Sequence, residues 1–256
     1  MTRASGPVTG ADPLWTQNNT AAGNGTVFGV QGGNIIVHPA GAGNPPQQLG
    51  HPPRGPGEAD DRIRILFLAA NPRSTSRLAL DEEAREISEK LRLSRDRDAF
   101  ELITCWAVRR ADLLQYINQH RPQIVHFSGH GGRTGEIMLA AGDGTDRRVG
   151  AAALAELFRI LRDEIRVVVL NACYSASQAQ AIGQHVDYVV SMRAAINDDA
   201  ATVFAAAFYS ALGFRRTVPQ SFQQATAALM LHGLPDHDIP ELLVRSGADP
   251  DVMVGG

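Results

Sequence analysis

The chain has 256 residues, with 24 Lys and Arg against 27 Asp and Glu and a net charge of −3, enough length for one sizeable domain with appendages. Aromatics are 6% and no run of about 18 apolar residues occurs, so neither a nucleic-acid footprint nor a membrane span is expected, and "MTRASGPVTGADPLW" lacks the apolar core of a secretory signal. Two cysteines, Cys105 and Cys173, are too few for a disulfide framework and fit a reducing cytoplasm.

Between Asp12 and Arg54 there is no Asp, Glu, Lys or Arg. Residues 1–17 read as a disordered leader. Residues 18–39 differ, because "GNGTVFGVQGGNIIVHP" concentrates strand formers, namely Val27, Phe28, Val30, Ile35 and Ile36, around Gln31, Gly33 and Asn34. A short, uncharged, β-prone segment with Asn and Gln suits ladders of identical strands. A lone hairpin is marginal in water, so such a segment gains most by stacking on copies of itself. A disordered tail with incidental apolar residues is the alternative, supported by the glycine content. Residues 40–61, "AGAGNPPQQLGHPPRGPGEADD", read as a flexible Pro/Gly-rich linker, with a domain boundary near residue 60.

From there, strand-like and helix-like patterns alternate. "RIRILFLAA" (62–70) reads as a buried strand closed by Asn71-Pro72, and residues 78–93 as a helix whose buried face is Leu80, Ala84, Ile87 and Leu91. The spacing then predicts a strand over 99–108, a helix over 111–120, a strand over 123–129 and a small hairpin around "GEIMLAA". A helix over 151–163, a strand over 165–172, a helix over 176–184 and a strand over 187–192 follow. Two helices, 198–212 and 217–232, complete a domain of 62–235, and 236–256 reads as a C-terminal tail. Alternating helices and near-continuous apolar strands imply an α/β fold, a mostly parallel sheet between two helical layers. In such sheets ligands bind beyond the carboxyl ends of the strands.

That rule points to "SGHGG" after the third strand and "ACYS" after the fourth. His130 and Cys173 would meet there, an imidazole able to deprotonate a thiol and to reprotonate a leaving amine. Gly129, Gly131 and Gly132 let the backbone approach a substrate and aim an N–H at an oxyanion, with the N–H of Cys173 as second donor. The bland alternative is that Cys173 is a small core residue and His130 a filler. Cys105, mid-strand between Thr104 and Trp106, reads as structural. His126 and His130 with Cys173 invite a zinc reading, but no fourth ligand is evident; no metal or other cofactor is expected.

"IVHFSGHGG" followed about 40 residues on by "VVVLNACYS", with "ILFLAANP" and "VVSMRAAINDDAATVFAAAFYSAL", resembles the CHAT family of caspase-like cysteine peptidases related to separase. The resemblance implies a caspase-like sandwich, His130 as base and acid, Cys173 as nucleophile, and the N–H groups of Gly131 and Cys173 as the oxyanion hole. It also implies an Asp that binds a basic P1 side chain: Asp198 first, Asp199 next. Asp198 could equally cap the helix it opens, and the two roles are compatible. Asn171 stands where some caspase relatives carry an acid or Gln, and Ser191 where Gly is expected. The N-terminal "VQGGN" resembles bacterial RHIM-like amyloid signalling motifs, although Asn34 follows Gln31 by three residues rather than the five of the animal core.

Together these resemblances imply a cytoplasmic endopeptidase effector of a bacterial immune or cell-death pathway, acting on a protein substrate and assembled into fibrils by an NLR-like receptor carrying a matching motif. A non-catalytic adaptor of the same fold, or a peptidase with a passive tail, are the rival readings.

Overall fold

The computed structural model describes residues 26–31, 34–39, 62–72, 74–141 and 145–249. The expected leader (1–17), the linker up to residue 61 and Gly33 lie outside these residues. The chain divides into two units, Met1–Glu58 and Ala59–Gly256.

In the first unit, β1 (Thr26–Gln31) and β2 (Asn34–Pro39) form an antiparallel pair in which Gln31 faces Asn34 and Val27 faces His38. Val27, Phe28, Val30, Gln31, Asn34, Ile35 and Ile36 all lie in the two strands.

The second unit runs β3 (Ile63–Ala70), α1 (Leu80–Arg92), β4 (Phe100–Cys105), α2 (Asp112–His120), β5 (Ile124–Gly129), β6 (Ile137–Ala140), β7 (Asp146–Val149), α3 (Ala151–Ile160), β8 (Val167–Asn171), α4 (Ala176–Ile182), β9 (Tyr188–Met192), α5 (Asp198–Gly213), α6 (Val218–Leu231) and β10 (Pro240–Val244). Six strands order as β10-β9-β8-β5-β3-β4, and all neighbours are parallel except β10 against β9. β6 and β7 form a separate antiparallel hairpin. The fold is the expected caspase-like α/β sandwich.

The apolar runs explain the layering. β5 and β8 are buried at every position, as strands covered on both faces must be. On one face Phe67, Val169 and Val190 pack with Ile87 of α1, Phe204 and Phe208 of α5 and Leu229 of α6. On the other, Leu66, Val125 and Val168 pack with Ile117 of α2, Phe158 of α3 and Ile182 of α4. Each wholly buried Leu, Ile or Phe contributes about 1.5–3 kcal/mol by leaving water.

The expected tail over 236–256 needs correction, because its residues 240–244 add β10 to the sheet. Its Pro240 occupies the first position of an edge strand, where a missing N–H is tolerated. Asp187 anchors the end of this strand, accepting from Arg166 Nε at 2.5 Å and from Arg245 Nη2 at 2.5 Å, while its carbonyl takes the Arg245 N–H. Burial pushes the Asp187 carboxyl up, but the two guanidiniums together outweigh burial and hold it below its ordinary value. A depressed native pKa stabilises above the unfolded value and is lost as pH falls through the native one. An Asp187→Ala variant should therefore lose about 1–3 kcal/mol at neutral pH. In thermal melts the gap to wild type should narrow below about pH 4.

Candidate active site

β5 and β8 are adjacent parallel strands, with Ser128 paired to Asn171. The residues leaving their carboxyl ends, His130 and Cys173, line one small cavity of about 40 Å³, together with Glu83, Asn171 and Asp198. The two thiols differ in setting. Cys105 ends β4 inside the core, and burial, with Asp112 nearby, pushes its thiol up, whereas Cys173 is half-buried at the cavity wall.

Local backbone fixes this geometry. Tyr174, immediately after Cys173, takes φ 57°, a left-handed conformation that non-glycine residues adopt mainly where surroundings impose it. Its N–H is held by the Ala194 carbonyl at 3.2 Å, and the next N–H, of Ser175, by Met192 at 2.9 Å. The Cys173 Sγ lies 3.9 Å from the Ile196 carbonyl. Gly131 packs against the Cys173 backbone so closely that an added Cβ would stand 1.7 Å from the Cys173 carbonyl oxygen. Across the β6 hairpin Gly131 pairs with Ile137, but the bonds run from its neighbours, Gly132 N–H to Glu136 at 2.7 Å and Met138 N–H to His130 at 3.0 Å. In such a pair the residue's own N–H is directed away from the ladder.

His130 Nε2 lies 2.8 Å from the Ser76 carbonyl oxygen. A carbonyl only accepts, so Nε2 carries the proton and, in the neutral ring, Nδ1 carries the lone pair. The loop supplying Ser76 is braced by Thr75 Oγ1 on the Pro72 carbonyl (2.7 Å) and Asn71 Nδ2 on the Leu78 carbonyl (3.2 Å).

Asp198 opens α5 but does not cap it. The cap is Asn197, whose side chain accepts the Asp199 N–H at 3.1 Å. Asp198 is thereby left to line the cavity, while Asp199 lines the neighbouring groove between α1, α5 and α6. Burial, chiefly, pushes the Asp198 carboxyl up; Asp199 and Glu83 add to this, and His130 opposes it.

The sequence reading missed Glu83. It is 3% exposed and accepts from His126 Nε2 (2.9 Å), Asn171 Nδ2 (2.6 Å) and Ser128 Oγ. His126 Nδ1 in turn meets the Tyr209 hydroxyl at 3.1 Å; burial, then Glu83, raise the Tyr209 pKa well above its ordinary value, so a neutral phenol donates to the ring. His126 and His130 thus face different partners. A signal for Glu83 was present: it falls at helical spacing between Leu80 and Ile87, inside the apolar stripe of α1.

A family model for the CHAT domain matches residues 42–238. The chain belongs to the CHAT domain family. Among curated proteins, this CHAT chain is 25% identical over 198 residues to a "Roc-COR-CHAT protease" from an unknown prokaryotic organism, covering 72% of the chain and 19% of that protein. It is 22% identical over 201 residues to a "Probable protease" of Gillisia limnaea, covering 71% of the chain and 35% of that protein. The chain therefore spans about a fifth to a third of these relatives. Solved structures of similar fold include a secreted C11 cysteine protease from Bacteroides thetaiotaomicron bound to an irreversible peptide inhibitor, at TM-score 0.51 and 13% identity over 72% of this chain and 66% of that one. The Arg-specific cysteine proteinase gingipain R is similar at TM-score 0.52 and 13% identity, over 76% and 48%. Among the described residues no helix is long and apolar enough to cross a membrane.

Proposed function

We propose that this CHAT domain is a cysteine endopeptidase with Cys173 as nucleophile and His130 as general base and acid. The observation that carries this reading is the convergence of a thiol, an imidazole with a free Nδ1 and a carboxylate on one cavity, beyond two adjacent parallel strands. His130 Nδ1 takes the thiol proton; the thiolate attacks the scissile carbonyl; the N–H groups of Gly131 and Cys173 receive the oxyanion. The imidazolium then protonates the leaving amine, and His130 activates the water that hydrolyses the thioester. The protease-named relatives support this chemistry.

Asp198 is the acid that would meet a basic P1 side chain. Ionised carboxylate is the form that pairs with a cation, and it is lost as pH falls through a pKa held above the ordinary value of 3.8. On P1-Arg peptides kcat/KM should therefore fall on the acid side above the usual carboxylate range. Asp198→Asn should remove that limb and lower neutral-pH kcat/KM about a hundredfold. A raised native pKa also means that ionised Asp198 opposes folding at neutral pH, so this variant should melt no lower than wild type.

The biological setting we propose is a cytoplasmic, bacterial signalling effector. The uncharged β1–β2 segment would be templated by a receptor bearing a like segment and would gather peptidase domains on a fibre. A spacer of about 20 residues would, as a Gly-rich coil, reach on the order of 25 Å and hold neighbours at roughly millimolar effective concentration. Two comparisons test the whole reading. N-terminomics of cells expressing wild type against Cys173→Ala should reveal Cys173-dependent termini following Arg or Lys; their absence favours the adaptor. Full-length protein should form thioflavin-positive fibres that Val30→Asp with Ile36→Asp prevents; fibres unaffected by these charges assign the tail a passive role.

A further inference from the structure

The cavity beside Cys173 holds only about 40 Å³, far short of the roughly 300–1,000 Å³ of a typical ligand site, so most contact with a polypeptide must be made elsewhere. Its wall continues. Ala79, Asp198 and Thr202 line this cavity and also the groove between α1, α5 and α6, which holds about 490 Å³. α1 follows β3 and α5 follows β9, so both helices begin at the carboxyl edge of the parallel sheet and run back from it together. The groove therefore starts at the cavity and extends from Asp198 to Ser210, about 18 Å along α5. At about 3.3 Å per residue, an extended segment of about five residues spans that length. Val203, Ala206, Ala207 and Ala228 are small, which leaves the trough open between three packed helices. Its charge is one-sided. Arg85 is already answered by Glu86 at 2.8 Å and Glu89 at 3.9 Å. Glu82 and Asp199, both exposed near the cavity, make no ion pair among the described residues, whereas Lys90 stands about two turns further along α1.

We propose that this groove is an exosite that docks a cationic segment of the protein substrate, about five residues long and separate from the scissile dipeptide. This rests on the peptidase reading above. The carboxylates of Glu82 and Asp199 would meet Lys or Arg side chains at the cavity end, and the alanine floor would receive small aliphatic ones behind them. The chain's own N-terminal stretch does not suit the groove, because no Lys or Arg lies between Asp12 and Arg54. Exposed carboxylates attract weakly one at a time. Their effect comes from tethering, since a seated segment holds the rest of its chain near Cys173 at high effective concentration. Such an exosite lowers KM and leaves the chemical step alone.

The test uses full-length protein and coumarin-amide peptides with Arg at P1, alone or joined through about ten Gly and Ser residues to a Lys-Arg-Ala-Val-Ala segment. A Glu-Glu-Ala-Val-Ala segment controls for length. The cationic segment should lower KM about tenfold with kcat nearly unchanged, and about 0.5 M salt should erase the gain by screening. The acidic segment should give no gain. Glu82→Lys should bring the ratio of the two KM values, without and with the cationic segment, close to one. Ala207→Leu fills the floor without altering charge and should also lower the ratio, with kinetics on the short peptide unchanged. Thermal melts check each fold, and should Glu82→Lys lack a transition, Glu82→Gln makes the same comparison. A ratio unchanged in both folded variants, or an equal gain from the acidic segment, overturns the exosite alone. If no peptide is turned over in a Cys173-dependent way, the peptidase reading falls and takes the exosite with it.

Discussion

Cys173→Ala should reduce peptide turnover by about 10⁴-fold or more, to the uncatalysed background, while leaving the melting temperature within a few degrees of wild type. The side chain is half-buried at a cavity wall, so its removal opens little new void. Covalent catalysis has no substitute for the missing sulfur, and the remaining donors can only bind. Cys105→Ala should do the reverse. That thiol is buried among Leu68, Val108 and Leu113 of the core, so truncation should lower stability by about 1–2 kcal/mol, a shift of a few degrees, with turnover nearly unchanged. A matched pair of melts and initial rates decides the matter. Turnover surviving in Cys173→Ala, or lost in folded Cys105→Ala, would assign the nucleophile elsewhere.

Gly131→Ala should lower kcat by about 10²–10³-fold without changing any ionisable group. The new Cβ would stand 1.7 Å from the Cys173 carbonyl oxygen and 2.8 Å from its carbonyl carbon, contacts that only backbone movement can relieve. Two things then shift together: the Gly131 N–H, which would receive the oxyanion, and the peptide that carries the thiol. Loss of one oxyanion donor is typically worth about 10²–10³-fold, and displacing a nucleophile by about 1 Å about a hundredfold. Because the hairpin behind Gly131 is independently bonded through Gly132 and Met138, the variant should still fold, with a lowered melting temperature. Labelling of Cys173 by a small alkylating agent should persist while turnover falls, separating misplacement from unfolding.

Much of this architecture was legible in the chain. Unbroken apolar runs such as "VVVLN" can only be strands covered on both faces, and the periodic stripe of Leu80, Ala84, Ile87 and Leu91 can only be a helix laid on them. The placement of His130 and Cys173 follows from the parallel topology those patterns require. Three features were not legible for identifiable reasons. Glu83 sits in "LDEEAREISEK", where three consecutive acids resemble a solvated face; its spacing with Leu80 and Ile87 hinted at burial, but its partners lie on distant strands. Asn197 and Asp198 are both competent caps, and it is the extended ψ of Asn197 that settles which one serves. β10 is five residues long and opens with proline, and the Asp187 and Arg245 contact just beyond it joins residues 58 apart in the sequence.

The polar chain behind the cavity also sets the order in which the cavity can be assembled as the chain is made. Glu83 and Asn171 are 88 residues apart in sequence, and His126 and Tyr209 are 83 apart. A ribosome adds about 5–20 residues per second, so several seconds separate the emergence of α1 from that of α5. Only in the last part of that interval, once Cys173 has been added, does the nascent chain hold both His130 and Cys173 while lacking Asp198 and Tyr209. One cavity distributed over α1, β5, β8 and α5 can therefore be completed only after α5 has been made.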